Sequence, residues 1–153
     1  MQREGREFQA RDVDYRSSDG AAEFSLDISG AYPPEAGLAR WRRTLKLDRT
    51  RNVVELTDRY ALGRKVPEIA WTFMTPGPVE TAVPGEIRFR GASGRSGRAS
   101  LLYDARALKP AVEEIPLQDR RLRSSWGERL YRVLLREQNP PAEDSRLFRI
   151  AQQ

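Results

Sequence analysis

The sequence predicts an all-β fold: an antiparallel β-sandwich of jelly-roll or supersandwich type with little or no helix. Three observations predict it. Apolar residues recur with period two along most of the chain and with helical period almost nowhere. Clusters of Gly, Pro, Asn, Asp and Ser interrupt the alternation at short intervals, as they do between the strands of a sandwich. Finally, residues 38–48 and 53–62 read as two strands that pair residue by residue. Alternation sets Trp41, Arg43, Leu45 and Leu47 on one face of the first, and Val54, Leu56, Asp58 and Tyr60 on one face of the second. Folded back around residues 49–52, Leu47 meets Val54, Leu45 meets Leu56, Arg43 meets Asp58 and Trp41 meets Tyr60, so apolar faces apolar and charge faces opposite charge. A slip of one residue would turn every one of these side chains to the wrong face.

The remaining elements follow in chain order. Strands are expected at 8–15, 23–28, 38–48, 53–62, 68–75, 86–90, 100–104, 112–117, 129–137 and 146–150, with residues 1–6 a flexible lead-in. Turn clusters at 17–20, 32–37, 75–78, 84–85, 91–97 and 139–141 separate them. PPEAGLARW starts with prolines and helix formers, but Gly37 and the strand behind it leave room for about one turn. LQDRRLRSSW, residues 117–126, offers a second short helical turn. The segment GASGRSGRAS has glycines and arginines but neither the spacing nor the following helix of a phosphate-binding loop, and reads as a hairpin loop.

A chain of 153 residues suits one domain, residues 1–153, able to bury about 70% of the surface its unfolded form exposes. Apolar content of 39% against 32% charged suits thin sheets with solvated outer faces. No run approaches the ~18–20 apolar residues of a membrane helix, and MQREGREF lacks the apolar core of a signal peptide, so no membrane partner is expected. Cysteine and histidine are both absent. Disulfides, thiolate nucleophiles, the usual zinc ligands and the usual neutral-pH general base go with them, so no metal, cofactor or catalytic residue is assigned. The compartment stays open.

The chain carries a formal charge of +5, and all but three of its 27 cationic residues are arginine. Guanidinium forks suit carboxylate, sulfate and phosphate, which makes an acidic polymer the natural partner, though the same bias also arises by compositional drift toward arginine. Arg40, Arg42 and Lys46 share the face of their strand opposite Trp41, a positive stripe that either tracks an anionic chain or is a solvated face partly neutralised by Glu55. Arg43 and Asp58 read as a structural ion pair, each sparing the other an unpaired burial. Arg120, Arg121 and Arg123 stand near Trp126, a combination able to bind sugar or single-stranded nucleic acid. The position of Trp126 ahead of Gly127 and a strong strand instead favours a core aromatic that anchors a loop. Trp71 with Phe73, and the stripes of 130–135, read as core. Five tyrosines provide candidate acid-base groups, but sequence alone brings no anion-stabilising partner beside any of them.

The ordered strings FSLDISGAYPPEAGLARWRRTLKLDR, VELTDRYAL, FMTPG and LQDRRLRSSWGERLYRVLL resemble the C-terminal β-sheet domain of heparinase II/III-like polysaccharide lyases. The resemblance spans most of the chain and rests on Ala31-Tyr32-Pro33, Trp41 with Arg43 and Thr44, Leu47-Asp48-Arg49, Thr57-Asp58 with Tyr60, and Trp126-Gly127 followed by Leu130-Tyr131-Arg132. It implies a bacterial, periplasmic or secreted parent in which an N-terminal helical toroid joins this sandwich and acidic polysaccharide, a glycosaminoglycan or alginate, is cleaved by β-elimination. In that family the toroid carries the tyrosine acid-base and the anion neutraliser, and the β domain can add a histidine and zinc ligands. Without histidine none of those roles transfers here. The expectation is therefore a non-catalytic sandwich that packs on a missing toroid, lines an acidic-substrate cleft with Arg40, Arg42, Lys46 and Arg123, and exposes an apolar sheet face through which it forms a homodimer. The alternative is a free-standing carbohydrate-binding or protein-interaction module. Nucleic acid is disfavoured, because no OB-type or RNA-binding signature accompanies the charge.

Overall fold

The computed structural model describes residues 5–91 and 98–152. Strand accounts for 58% of the chain and helix for 9%, so the all-β, antiparallel, sandwich-like class is the one observed. Eleven strands are present among the described residues: β1 Arg11–Ser17, β2 Ala21–Asp27, β3 Leu38–Asp48, β4 Val53–Leu62, β5 Glu68–Thr75, β6 Val79–Glu80, β7 Glu86–Arg90, β8 Arg98–Leu102, β9 Lys109–Pro116, β10 Arg129–Gln138 and β11 Glu143–Gln152. Among the described residues helix is confined to α1, Arg120–Trp126, and to two single 3-10 turns at Ser29–Ala31 and Pro34–Ala36. The chain divides into two compact units, Met1–Glu68 with Asn139–Ile150, and Ile69–Gln138 with the last three residues.

In the first unit the strands lie in the order β1-β2-β3-β4-β11. The β3–β4 hairpin has the predicted bounds and the predicted register, Leu47 with Val54, Leu45 with Leu56, Arg43 with Asp58 and Trp41 with Tyr60. Its four-residue turn is made locally. Asp48 accepts from the Arg51 amide at 2.9 Å and from Arg51 Nε at 2.7 Å, and Asn52 takes the left-handed conformation at φ 53° that asparagine tolerates. Prolines at 33 and 34 open the second 3-10 turn and Gly37, at φ 71°, ends it, so the one-turn helix expected there is present and β3 begins at once. Ile28, Trp41, Leu56, Tyr60 and Phe148 form the apolar core of this unit.

The second unit holds the β6-β7-β8 ladder and the β5-β10-β9 sheet. Arg90 pairs with Arg98, so β7 and β8 form the expected hairpin; its loop at 92–97 lies outside the described residues, as do residues 1–4 of the lead-in. Central β10 is buried on both faces at Val133, Leu134 and Leu135, which join Ile69, Trp71, Ile87 and Leu101 in the core; Phe73 is half-buried. Between β9 and β10, Asp119 caps α1 by accepting from the amides of Arg121 and Leu122 at 2.8 and 3.0 Å.

Several bounds differ from the sequence expectation. β1 starts three residues later, β8 lies two residues earlier, and β11 begins at Glu143 rather than 146. The polar residues 143–145 carry no apolar alternation to announce a strand. Two-residue β6 is too short to leave a periodic signal.

Gly77 fits where nothing larger does: a Cβ there would sit 1.7 Å from the Arg90 carbonyl oxygen. Because that neighbour is backbone, Gly77→Ala is expected to cost about 1–3 kcal/mol in urea unfolding. An unchanged midpoint would show that the 76–78 turn and β7 do not approach as described.

Candidate functional site

The two faces of the first unit's sheet have opposite chemistry, and the register assigns each side chain to one of them. On the inner face Arg43 donates from Nε to Asp58 Oδ1 at 2.7 Å and from Nη2 to Asp58 Oδ2 at 2.6 Å, a two-point fork on a carboxylate that is 0% exposed. The ion pair expected from sequence is therefore made. Beside it Tyr32 stacks on Trp41 with ring centroids 6.4 Å apart, and Trp41 meets Tyr60 at 5.6 Å. The hydrogen bonds from Arg43 to Asp58 raise the guanidinium's affinity for its proton, and burial raises the Tyr32 phenol. A buried carboxylate forked by arginine beside stacked rings makes this a structural cluster.

The outer face carries the cations. Cross-strand neighbours there are Asp27, Arg42 and Arg59 in one row, Ser25, Thr44 and Thr57 in the next, and Glu23, Lys46 and Glu55 in the third. Lys46 thus stands between two carboxylates, and Glu55 also accepts from Arg149 Nε at 2.8 Å. The stripe expected over Arg40, Arg42 and Lys46 does not continue as a positive surface to Lys46. At the other end it is strengthened by Arg59, directly opposite Arg42.

Arg40, Arg42 and Arg59 line an open cleft of about 560 Å³ with Tyr60, Glu143 and Asp144. Arg42 donates to Ser25 Oγ at 2.7 Å and to the Asp12 carbonyl at 3.4 Å, both neutral acceptors. Among the described residues neither Arg42 nor Arg59 forms an ion pair. Arg40 has a carboxylate, Asp27, at the longer distance of 3.9 Å. Of the acidic residues in the cleft, Asp144 is already engaged: Arg146 pairs with it at 2.7 Å, and the Ser145 amide donates to it at 2.7 Å. Burial alone would raise Asp144, but those two donors outweigh it and keep the carboxyl below its ordinary range. Arg42 and Arg59 thus occupy opposed register positions on adjacent strands, Arg42 with its fork turned to Ser25 and Asp12 and with Asp27 opposite it on β2, and like charges so placed are mildly unfavourable unless an oxyanion such as a carboxylate or sulfate binds beside them.

Arg123 is not part of this cleft. It sits on α1 in the second unit, paired with Glu128, beside a separate cleft of about 580 Å³ lined by Pro76, Pro78, Trp126, Arg129 and Tyr131. Trp126 is 49% exposed, which overturns the reading of it as a core anchor. The capped turn ends at Gly127 with φ 89° and leaves the indole on the surface. Among the described residues no group of three acidic side chains is placed to hold a metal ion.

Arg43→Met is expected to destabilise the protein by about 3 kcal/mol, because it strands Asp58 inside, whereas Arg43→Met/Asp58→Leu should recover most of the loss. Equal unfolding midpoints for the single and double variants would contradict a buried pair. A second expectation concerns acid. Burial would raise Asp27, but the Ser29 hydroxyl and amide, the Trp41 amide and Arg40 together lower it. Its folded value is thus below its unfolded one, so its contribution is complete above about pH 4 and is lost as pH falls through the folded value. Asp27→Asn should flatten the acid limb of the stability profile; a limb of unchanged steepness would show that these donors do not act on Asp27.

No protein-family model matches the chain, and neither does any curated protein.

Proposed function

We propose that this chain is a non-catalytic β module that holds an acidic polysaccharide by its carboxylate or sulfate groups in the Arg40, Arg42 and Arg59 cleft. The observation that carries the reading is the Arg42–Arg59 pair: two fork-shaped donors in register, with no carboxylate between them, at the wall of an open cleft. A guanidinium offers two parallel hydrogen bonds to a planar or tetrahedral oxyanion, and two of them on adjacent strands can share one.

The sequence resemblance supports a place for this module within a heparinase II/III-like lyase, where it would present the polymer while the toroid performs β-elimination. The chain itself has no histidine or cysteine to carry that chemistry. A free-standing carbohydrate-binding module is the second reading. It is favoured by the exposed Trp126 beside Tyr131, an aromatic surface whose neighbouring arginines are already neutralised by Glu128 and Glu114.

Binding of heparin, alginate, hyaluronan and a neutral glucan across a salt series separates these readings. Saturable binding to the acidic polymers, weakened at least about tenfold in Arg42→Ala/Arg59→Ala, is expected. Equal binding by that variant would overturn the cleft. Glucan binding that is lost only in Trp126→Ala would establish the second reading. Because the two guanidinium groups repel, Arg59→Gln should also raise the unligated protein's stability by about 0.2–1 kcal/mol; a fall would mean that Arg59 is held by the fold and not kept for a ligand.

A further inference from the structure

We infer that the open edge of β1 pairs with β1 of a second copy, antiparallel and centred on Tyr15. β1 ends its sheet and pairs with β2 alone, and all seven of its residues are exposed. Such an edge is a template for another strand unless something blunts it. Here the blunting is partial. A bulge between Arg11 and Asp14, with Asp12 at φ 49°, interrupts the ladder at one end and leaves residues 14–17 regular.

Backbone parity decides which groups the edge offers. The Ser18 amide donates to the Ala21 carbonyl at 2.8 Å and closes the β1–β2 hairpin. Counting back by alternation, Arg16 with Glu23 and Asp14 with Ser25 exchange hydrogen bonds, while Tyr15 with Phe24 and Ser17 with Ala22 do not. The amide and carbonyl of Tyr15 and of Ser17 therefore point outward. A register centred between two residues would set an outward group against an inward one, so a symmetric pair must centre on a residue.

Charge then selects the residue. Centring on Asp14 opposes two aspartates, and centring on Arg16 opposes two arginines. Ser17 as centre would run the pair into the β1–β2 turn. Centring on Tyr15 sets Asp14 and Arg16, which pair with each other at 3.0 Å within one chain, against Arg16 and Asp14 of the second copy, so that the two ion pairs join in one alternating cluster, and it lets the two Tyr15 residues exchange both backbone hydrogen bonds. Tyr15 is 64% exposed and begins a row of apolar cross-strand neighbours, Tyr15, Phe24, Leu45 and Leu56, that such pairing would extend into the second copy. Self-complementarity of charge and of backbone parity at one residue makes a second copy of this chain the fitting partner.

Sedimentation of the full chain up to about 1 mM should show a weak, concentration-dependent dimer, as a short edge contact predicts. Asp14→Arg and Arg16→Asp should each lower the association constant at least about tenfold, and mixing the two single variants should restore association through a heterodimer. Tyr15→Pro should abolish the dimer without unfolding the chain, since the amide it removes serves no bond to β2. A monomer at every concentration overturns the inference. So does a dimer indifferent to the single charge reversals, or one lost in Leu45→Lys while both charge variants still associate, which would place the contact on the sheet face instead.

Discussion

The Arg43–Asp58 fork is the interaction on which the arrangement of the first unit depends. Asp58 is fully enclosed, and an enclosed carboxylate without its cation costs several kcal/mol, so any strand register that separates the two is heavily penalised. Apolar pairs such as Leu45 with Leu56 tolerate sliding, because one aliphatic neighbour substitutes for another. A two-point ion pair does not. Tyr32 stacked on Trp41, and Trp41 tilted against Tyr60, lie on the same face, where Asp58 is enclosed while Arg43 keeps about a third of its side chain exposed.

Fixing the inner face also fixes the outer one, because successive residues of a strand point to opposite sides. Once Arg43 must meet Asp58, Arg42 must stand opposite Arg59, so two arginines that line the cleft are set at one register position by a constraint on the other side of the sheet. Their repulsion is a local cost of tenths of a kcal/mol to about one, small beside the penalty for breaking the fork. A fold can therefore carry the unfavourable pair indefinitely.

The hairpin was legible in the sequence because two independent patterns, apolar alternation and opposite charge, agreed on one register. Arg59, opposite Arg42, follows from that same register, as Glu55 opposite Lys46 does. Glu23, the second carboxylate beside Lys46, lies on β2, whose register with β3 the hairpin does not fix. Trp126 was misread for a different reason: whether an aromatic at the end of a short helical turn points in or out depends on the turn's exit angle, here set by Gly127, and sequence spacing carries no measure of that angle. The early start of β11 was hidden because residues 143–145 are strand by backbone pairing and not by apolar pattern.

The arginine excess takes on a narrower meaning once its partners are known. Arg16 with Asp14, Arg51 with Asp48, Arg88 with Glu86, Arg106 with Asp104, Arg132 with Glu113 and Arg149 with Glu55 are surface pairs, each of little net stabilising value but each neutral toward a passing polymer. A net charge of +5 spread evenly would attract any polyanion and lose it in moderate salt. Pairing most of the forks reduces that diffuse attraction and leaves contrast at Arg42 and Arg59, which form no ion pair among the described residues although Glu143 and Asp144 share their cleft. Selectivity for an acidic ligand would arise from that contrast, in the spacing of Arg42 and Arg59, and not from the total charge.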